Sequence, residues 1–109
     1  MRFNLGEFEE IVLLVVAGQH NEAYGLSVTK AIEEELQRSV TMSSVHTALY
    51  RLEEKGLVSS EVGDSAANRR GRKKRIFKIT STGKKALIEA RDARKHLWTL
   101  IPKFVFDNQ

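Results

Sequence analysis

The chain contains no cysteine among its 109 residues. Disulfides, thiolate zinc sites and cysteine nucleophiles are therefore excluded. Long apolar runs are also missing, because the longest one, residues 11–17, is far shorter than the ~20 residues that a membrane-spanning helix needs. The first ten residues, MRFNLGEFEE, carry acidic side chains where a signal peptide has an apolar core. We therefore expect a cytoplasmic protein that does not enter a membrane.

The motifs of catalysis, of metal binding and of nucleotide binding are absent as well. The three histidines, His20, His46 and His96, lie far apart, whereas a structural zinc site needs three or four converging ligands. Ser43 and Ser44 have neither a third orienting group nor a nucleophile-elbow sequence beside them. Neither glycine-rich phosphate-binding motif occurs. We expect no enzyme activity, no metal and no cofactor.

Positive charge is plentiful but unevenly distributed. Residues 69–85 contain nine of the 18 Lys and Arg residues and no Asp or Glu, so the rest of the chain carries nine basic and 14 acidic residues. The formal net charge of +4 is thus one cationic segment on an acidic body. Such a cluster suits a phosphate backbone, because neutralised phosphates release condensed counterions. A basic run is more commonly a solvated loop, so the neighbouring elements decide its interpretation.

Apolar periodicity predicts three helices ahead of the cationic segment. We expect them at about residues 5–17, 26–38 and 41–55. Thr41 or Ser43 is the expected N-cap of the third helix, and Gly56 is suited to the left-handed conformation that ends a helix. In the second helix, Leu26 and Leu36 are expected to face inward with the other apolar residues.

A hairpin and a long helix are predicted for the remaining residues. The segments 57–62 and 75–80 are rich in strand formers, and the loop between them is rich in Gly, Ser, Asn and Arg. Thr80 or Ser81 is expected to cap a final helix of about 19 residues with a broad apolar face. The predicted fold class is mainly α with a small β-hairpin (α+β): a winged helix-turn-helix plus a C-terminal dimerisation helix. Residues 1–80 would form the DNA-binding domain, and residues 81–109 the dimerisation helix and tail of one compact unit.

The polar face of the third helix and the cationic hairpin have the chemistry of a DNA interface. An α-helix fits the major groove, and the recognition helix of such motifs presents its N-terminal side chains to base edges. We predict that the hairpin binds phosphates or the minor groove. The predicted DNA-binding residues are Ser43, Ser44, His46, Thr47, Tyr50, Arg51, Arg69, Arg70, Arg72, Lys73, Lys74 and Arg75.

Four stretches of the sequence resemble the PadR family of bacterial transcriptional regulators. They are LGEFE at 5–9, AYGLSV at 23–28, VHTALYRLEEKGLVSS at 45–60 and GRKKRIFKITSTGKKAL at 71–87. The resemblance covers roughly residues 3–101 and is closest to the compact branch, which has a single C-terminal helix. It implies a dimeric winged-helix repressor that binds a palindromic operator in double-stranded DNA. This chain departs from the family pattern at His46, where tyrosine is usual, and at Lys73, where proline is frequent.

The resemblance also implies that the first and last helices form the dimer interface. The predicted interface residues are Leu5, Phe8, Leu87, Ala90, Leu97, Trp98 and Ile101. Two interpretations of Trp98 stay open. It packs in the interface, or it stacks on a planar aromatic inducer, as a tryptophan on this helix does in some relatives. By our count Trp98 falls about one helical turn later than the tryptophan of those relatives, whose place is near Arg94 in this chain.

Two alternative functions remain on sequence grounds. A nonspecific architectural nucleic-acid-binding protein would rely on the basic cluster alone, but the polar, non-basic face of the third helix is atypical of such binders. A winged-helix protein-interaction module would use the acidic body to dock on a basic partner. Competition by unrelated DNA in a binding assay distinguishes these functions from operator recognition.

Overall fold

The computed structural model describes residues 4–63 and 74–107, and it confirms the predicted fold class. The predicted bounds of the elements differ from the observed ones by one or two residues. The elements are α1 (Glu7–Gly18), α2 (Gly25–Leu36), α3 (Met42–Glu54), β1 (Val58–Val62), β2 (Arg75–Ile79) and α4 (Ser81–Thr99), followed by a short 3-10 helix (Lys103–Phe106).

The core lies between α1, α2 and α3, each of which buries one apolar face. Its largest fully buried side chains on these helices are Val12, Leu13, Val16, Val28, Ile32, Val45, Leu49 and Leu52. The expectation that Leu26 and Leu36 face inward is wrong, since 41% and 49% of their surfaces are exposed. Both residues lie near the ends of α2, whereas its buried side chains Val28, Thr29 and Ile32 lie between them.

Threonine side chains begin both α3 and α4. The Thr41 hydroxyl accepts a hydrogen bond from the Ser44 amide at 3.1 Å, and the Thr80 hydroxyl accepts one from the Gly83 amide at 3.0 Å. Each bond satisfies an amide that has no partner within its helix. Of the two candidate caps predicted for each helix, the structure therefore uses the threonine.

The antiparallel hairpin is fixed to the helices at its root. Its register pairs Val58 with Ile79 at one end and Val62 with Arg75 at the other. Phe77 on β2 is fully buried, and its amide donates to the Ala23 carbonyl at 2.8 Å. The hairpin is thereby tied to the α1–α2 loop, which holds it beside α3.

Two hydrogen bonds from Thr80 hold the start of α4 next to the end of α3. The Thr80 amide donates to the Leu57 carbonyl at 3.0 Å, and the Thr80 hydroxyl donates to the Gly56 carbonyl at 2.7 Å. A Cβ atom at Gly83 would collide with the Leu57 carbonyl oxygen, so glycine permits this close approach. Gly56 itself has a φ of +76°, which places the left-handed stop of α3 where the sequence predicts it.

The buried residues of helix α4 all lie in its N-terminal half. Ala86 and Ala90 are buried there, while Leu97 and Trp98 in the last turns are 60% and 64% exposed. The described residues accordingly extend over 58 Å in the longest direction and 29 Å in the next. In the ranges 4–63 and 74–107, no helix combines the length and the apolar character that crossing a membrane requires.

Candidate nucleic-acid interface

One face of α3 carries polar side chains that are exposed to solvent. Val45, Ala48, Leu49 and Leu52 are buried, whereas Ser43, Ser44, Thr47, Tyr50 and Arg51 are exposed. Three of these exposed residues, Ser43, Ser44 and Thr47, lie in the first half of the helix, next to the Thr41 cap. This is the part of a recognition helix that reaches base edges.

The hydroxyl groups on this face are already engaged as donors. Thr47 donates to the Ser43 carbonyl at 2.9 Å, and Ser44 donates to the Thr41 carbonyl at 2.8 Å. A hydroxyl has one proton and two acceptor lone pairs, so the oxygens of Thr47 and Ser44 remain available to accept. In the major groove the matching donors are the exocyclic amines of adenine and cytosine.

Arg51 is the cation at the far end of this face. A shallow groove separates it from the start of α1, where Glu7 and Glu9 lie. Glu7 pairs with Arg38 at 3.3 Å and Glu9 pairs with Lys55 at 2.5 Å. Arg51 has no ion-pair or hydrogen-bond partner for its side chain within the described residues, so its guanidinium is available to a phosphate.

His46 has a packing role that its sequence position does not reveal. Its imidazole lies so close to Gly25 that a Cβ atom built there would overlap the ring. The ring also stacks on Tyr50, with centroids 6.1 Å apart and an interplanar angle of 23°. His46 is half-buried and acts as a spacer between the first turn of α2 and the middle of α3.

Tyr50 connects this spacer to the hairpin. Its ring meets Phe77 edge to face, with a centroid distance of 5.9 Å and an angle of 73°, an arrangement that aromatic pairs favour. Tyr50 is still 46% exposed. The three rings of His46, Tyr50 and Phe77 therefore form a continuous path from α2 across the recognition helix to β2.

Two predicted wing cations, Lys74 and Arg75, lie in the described part of the hairpin and contact the protein. The Lys74 ammonium sits 4.1 Å above the Tyr24 ring, a cation–π contact. The Arg75 guanidinium donates to the Ser60 hydroxyl at 3.0 Å, and Ser60 in turn donates to Glu53 at 2.5 Å. These contacts orient the end of the hairpin from which the loop leaves the two strands. Arg69, Arg70, Arg72 and Lys73 lie outside the described residues.

One ion pair links the two strands of the wing. Lys78 Nζ lies 2.9 Å from Glu61 Oε1. The hydrogen bond and positive charge of Lys78 lower the pKa of the Glu61 carboxyl. Because this pKa is lowered by folding, the pair contributes while Glu61 is ionised, and its contribution is lost as the pH falls through the folded-state pKa. The pair is exposed to solvent, so it aligns the strands more than it stabilises them.

The predicted dimer surface on α1 and α4 is partly exposed. Leu5, Phe8 and Leu87 are half-buried against the chain's own core. Leu97 and Trp98 are largely exposed. Ala90, at 3% exposed, is covered by its own chain and offers almost no surface to a partner.

A family model for PadR-like transcriptional regulators matches residues 12–89 of the chain. The chain belongs to this family. Its members are transcriptional regulators that bind DNA and are not enzymes, so the general function predicted from the sequence, a DNA-binding transcriptional regulator, is confirmed. The matched residues include α3, the hairpin and the first half of α4. No curated protein matches the sequence significantly.

Solved structures share the PadR-like fold. A PadR-like transcription factor from Bacteroides fragilis is 22% identical, with 83% of this chain and 82% of that chain covered and a TM-score of 0.71. A PadR family regulator from Clostridium difficile R20291 is 20% identical, with 90% and 98% covered and a TM-score of 0.69. A complex structure of H. salinarum RosR is 28% identical, with 95% and 80% covered and a TM-score of 0.66.

Sequence reasoning did not find the contacts that position the PadR-like recognition helix. Tyr24 receives Lys74 over its ring, and Gly25 accommodates His46. The available signal was the Tyr-Gly pair at the start of α2, where Tyr24 is the N-cap and Gly25 the first helical residue. Among the described residues, no group of three or more His, Asp or Glu side chains is arranged to hold a metal ion.

Proposed function

We propose that the protein is a homodimeric repressor that binds a palindromic operator with α3 in the major groove and the hairpin over adjacent phosphates. Residues 1–80 make the DNA contacts, and residues 81–109 join the two copies. The observation that carries this proposal is the polar N-terminal face of α3, whose Thr47 and Ser44 oxygens are free to accept and whose Arg51 is unpaired within the described residues.

A twofold dimer follows from the second exposed surface. Leu97 and Trp98 at the end of α4 and Leu100 directly after it are 60%, 64% and 63% exposed, and apolar surface of this kind marks an interaction site. A twofold axis is the commonest closed arrangement of identical chains. In such a dimer the two α3 helices are related by the twofold axis and meet half-sites about 34 Å apart. The operator is therefore expected to have the same twofold symmetry, that is, to be palindromic.

The first experiment locates the operator by footprinting the DNA that flanks the protein's own gene. Binding of Thr47→Ala and Arg51→Ala is then measured on that operator and on unrelated DNA over a range of salt. We expect Thr47→Ala to weaken operator binding up to about tenfold, at the lower end of the range for a base contact, and to leave unrelated DNA unchanged. Arg51→Ala should weaken both and lower the salt slope by about 0.9 for each phosphate that the variant no longer neutralises.

Lys84→Ala is the control for Arg51→Ala, because it removes the same charge from α4 and not from the polar face of α3. Lys84 lies in the first turn of α4, which is bonded to Gly56 just beyond the end of α3. Equal losses from Lys84→Ala and Arg51→Ala would indicate a nonspecific charge effect and favour the architectural function. Complete competition by unrelated DNA would do the same, and no DNA binding at all would favour a protein-interaction module.

Trp98 is proposed to be part of the dimer packing. It is 64% exposed in the single chain and stacks on Phe106 with centroids 6.0 Å apart. The other interpretation, a platform for a planar aromatic inducer, is tested by Trp98 fluorescence with a panel of flat dyes. An inducer must bind the DNA-incompetent arrangement more tightly than the competent one, so quenching has to coincide with weaker operator binding.

A further inference from the structure

A groove with an apolar floor and a basic rim runs between α1 and α4. It has a volume of about 420 Å³. Leu14, Ile88 and Trp98 line the floor, and Arg91, Arg94 and Lys95 line the rim. The three apolar side chains are 51%, 50% and 64% exposed, so the groove is uncovered in the single chain.

The rim keeps positive charge that its own chain does not neutralise. Arg94 pairs with Glu10 at 2.8 Å, and Arg91 pairs with the adjacent Asp92 at 3.1 Å. Lys95 has no ion-pair partner in the part of the chain that the structure describes. A segment that fits the groove therefore carries bulky apolar side chains and at least one carboxylate.

The segment after α4 has this composition. Phe104, Val105 and Phe106 are consecutive and are 71%, 47% and 47% exposed. Asp107 follows them and is exposed too. Phe106 stacks on Trp98 of its own chain, but the other two apolar side chains have little to cover them.

The segment cannot reach the far end of its own groove. Ile88 lies 11 residues before the end of α4 at Thr99, which is about 17 Å along the helix axis. The 3-10 helix at 103–106 begins four residues after Thr99 and stays beside Trp98. A second α4 packed antiparallel would instead bring its C-terminal end next to Leu14 and Ile88. In a twofold dimer each copy places the segment after its α4 in the groove of the other copy, so both grooves are covered.

We infer that residues 101–107 of one protomer cover the α1–α4 groove of a second copy, with Asp107 facing Lys95 across the interface. This inference rests on the proposed homodimer and adds to it a specific segment and a specific charge pair. Each protomer then completes the apolar surface of the other, beyond the contacts that α4 makes alone.

Two complementary charge reversals test whether residues 101–107 contact the groove of the second copy. Asp107→Lys and Lys95→Asp each replace the opposite charges at both contacts with like charges, so the dimer dissociation constant should rise about tenfold. When the two variants are mixed and allowed to exchange, both contacts in the mixed dimer pair opposite charges again. The dissociation constant, measured by sedimentation over a dilution series, should return to nearly the wild-type value.

Glu35→Lys is the control, because it makes the same change on the exposed side of α2 and should leave dimerisation unchanged. If the single variants dimerise weakly and mixing restores nothing, the contact lies within one chain and the inference is overturned. It is also overturned if both variants dimerise like the wild type, although the proposed homodimer then survives. A wild-type chain that stays monomeric at tens of micromolar overturns the dimer as well.

Discussion

At the scale of single residues, His46 shows how one half-buried side chain contributes both to the packing of α2 on α3 and to the polar face of α3. Its imidazole occupies the space that a side chain at residue 25 would need, and its other face stacks on Tyr50. The family resemblance implies a tyrosine here that helps to hold DNA. With histidine at this place, Tyr50 one turn later is the exposed aromatic residue of the recognition helix.

Gly25→Ala should destabilise the protein by about 1–3 kcal/mol, because the added methyl group overpacks the contact with His46. Replacing His46 with alanine in the same chain should recover most of the loss, since the two residues are in contact and their effects are not additive. Urea unfolding of both single variants and the double variant measures the coupling. Gly18→Ala is the control, because a Cβ atom there has no neighbour within 4 Å. Strictly additive effects would show that His46 moves aside freely.

The spacer could not be predicted from the sequence for a physical reason. Gly25 and His46 are 21 residues apart. Helical periodicity predicts which face of its helix a residue lies on, but not which residue of another helix contacts it. Periodicity did place Val45, Ala48 and Leu49 inward, because their spacing alone defines the buried stripe of α3. It also placed Leu26 and Leu36 inward, and failed, because it contains no information about where the neighbouring helices end.

At the scale of elements, the two threonine caps differ in what they hold together. Thr41 accepts one hydrogen bond from its own helix. Thr80 accepts one from α4 and also donates to the carbonyl that follows α3. Thr80 thus connects the recognition helix, the root of the wing and α4, and it fixes their relative positions.

Thr80→Ala should cost about 1.5–3 kcal/mol of unfolding free energy, and Thr41→Ala about 1 kcal/mol. The difference arises because removing a cap costs about 1 kcal/mol and Thr80→Ala also leaves the Gly56 carbonyl without its hydroxyl donor. Thr80→Ser retains the hydroxyl and should remain close to the wild type. Chemical denaturation of the three variants gives the comparison. If Thr80→Ser lost as much stability as Thr80→Ala, the methyl group and not the hydroxyl would be responsible.

The wing divides into a described part, whose cations contact the protein, and a cationic stretch that lies outside the described residues. Lys74 and Arg75, at the loop end of the two strands, are engaged by Tyr24 and Ser60. The sequence predicts the remaining cations, Arg70 and Arg72 among them, as phosphate ligands. Composition was sufficient to predict a charged hairpin, but not that two of its cations bind their own chain.

Arg70→Ala combined with Arg72→Ala should weaken binding to the operator and to unrelated DNA alike. The salt slope should fall by about 0.9 for each phosphate that is no longer neutralised. The double variant Lys84→Ala and Lys85→Ala has the same net charge and serves as the control, because both lysines lie in α4 beyond the end of α3. A wing variant that kept its affinity and its salt slope would show that the hairpin does not hold phosphates.

At the scale of the whole molecule, DNA binding by the proposed dimer would depend on how its two copies are joined. The first half of α4 is fixed to α1 and to the hairpin root, while its last turns project with Leu97 exposed. Helix α4 is thus attached to its own chain at one end and exposes an apolar surface at the other. In the proposed dimer, the contact between the distal ends of α4 would set the spacing between the two α3 helices.

Leu97→Asp should convert the dimer to a monomer without unfolding it. Leu97 is 60% exposed in the single chain, so a charge there costs the fold little, but in the dimer it would be buried without a partner. The monomer should bind the operator much more weakly, because the second half-site no longer gains from the high effective concentration that linkage provides.

Sedimentation and circular dichroism measure assembly and folding, and an operator titration measures binding. An isolated half-site should be bound by this variant and by the wild type with similar affinity, since the surface of α3 is unchanged. If Leu97→Asp stayed dimeric, the distal turns of α4 would not be the contact that joins the two copies.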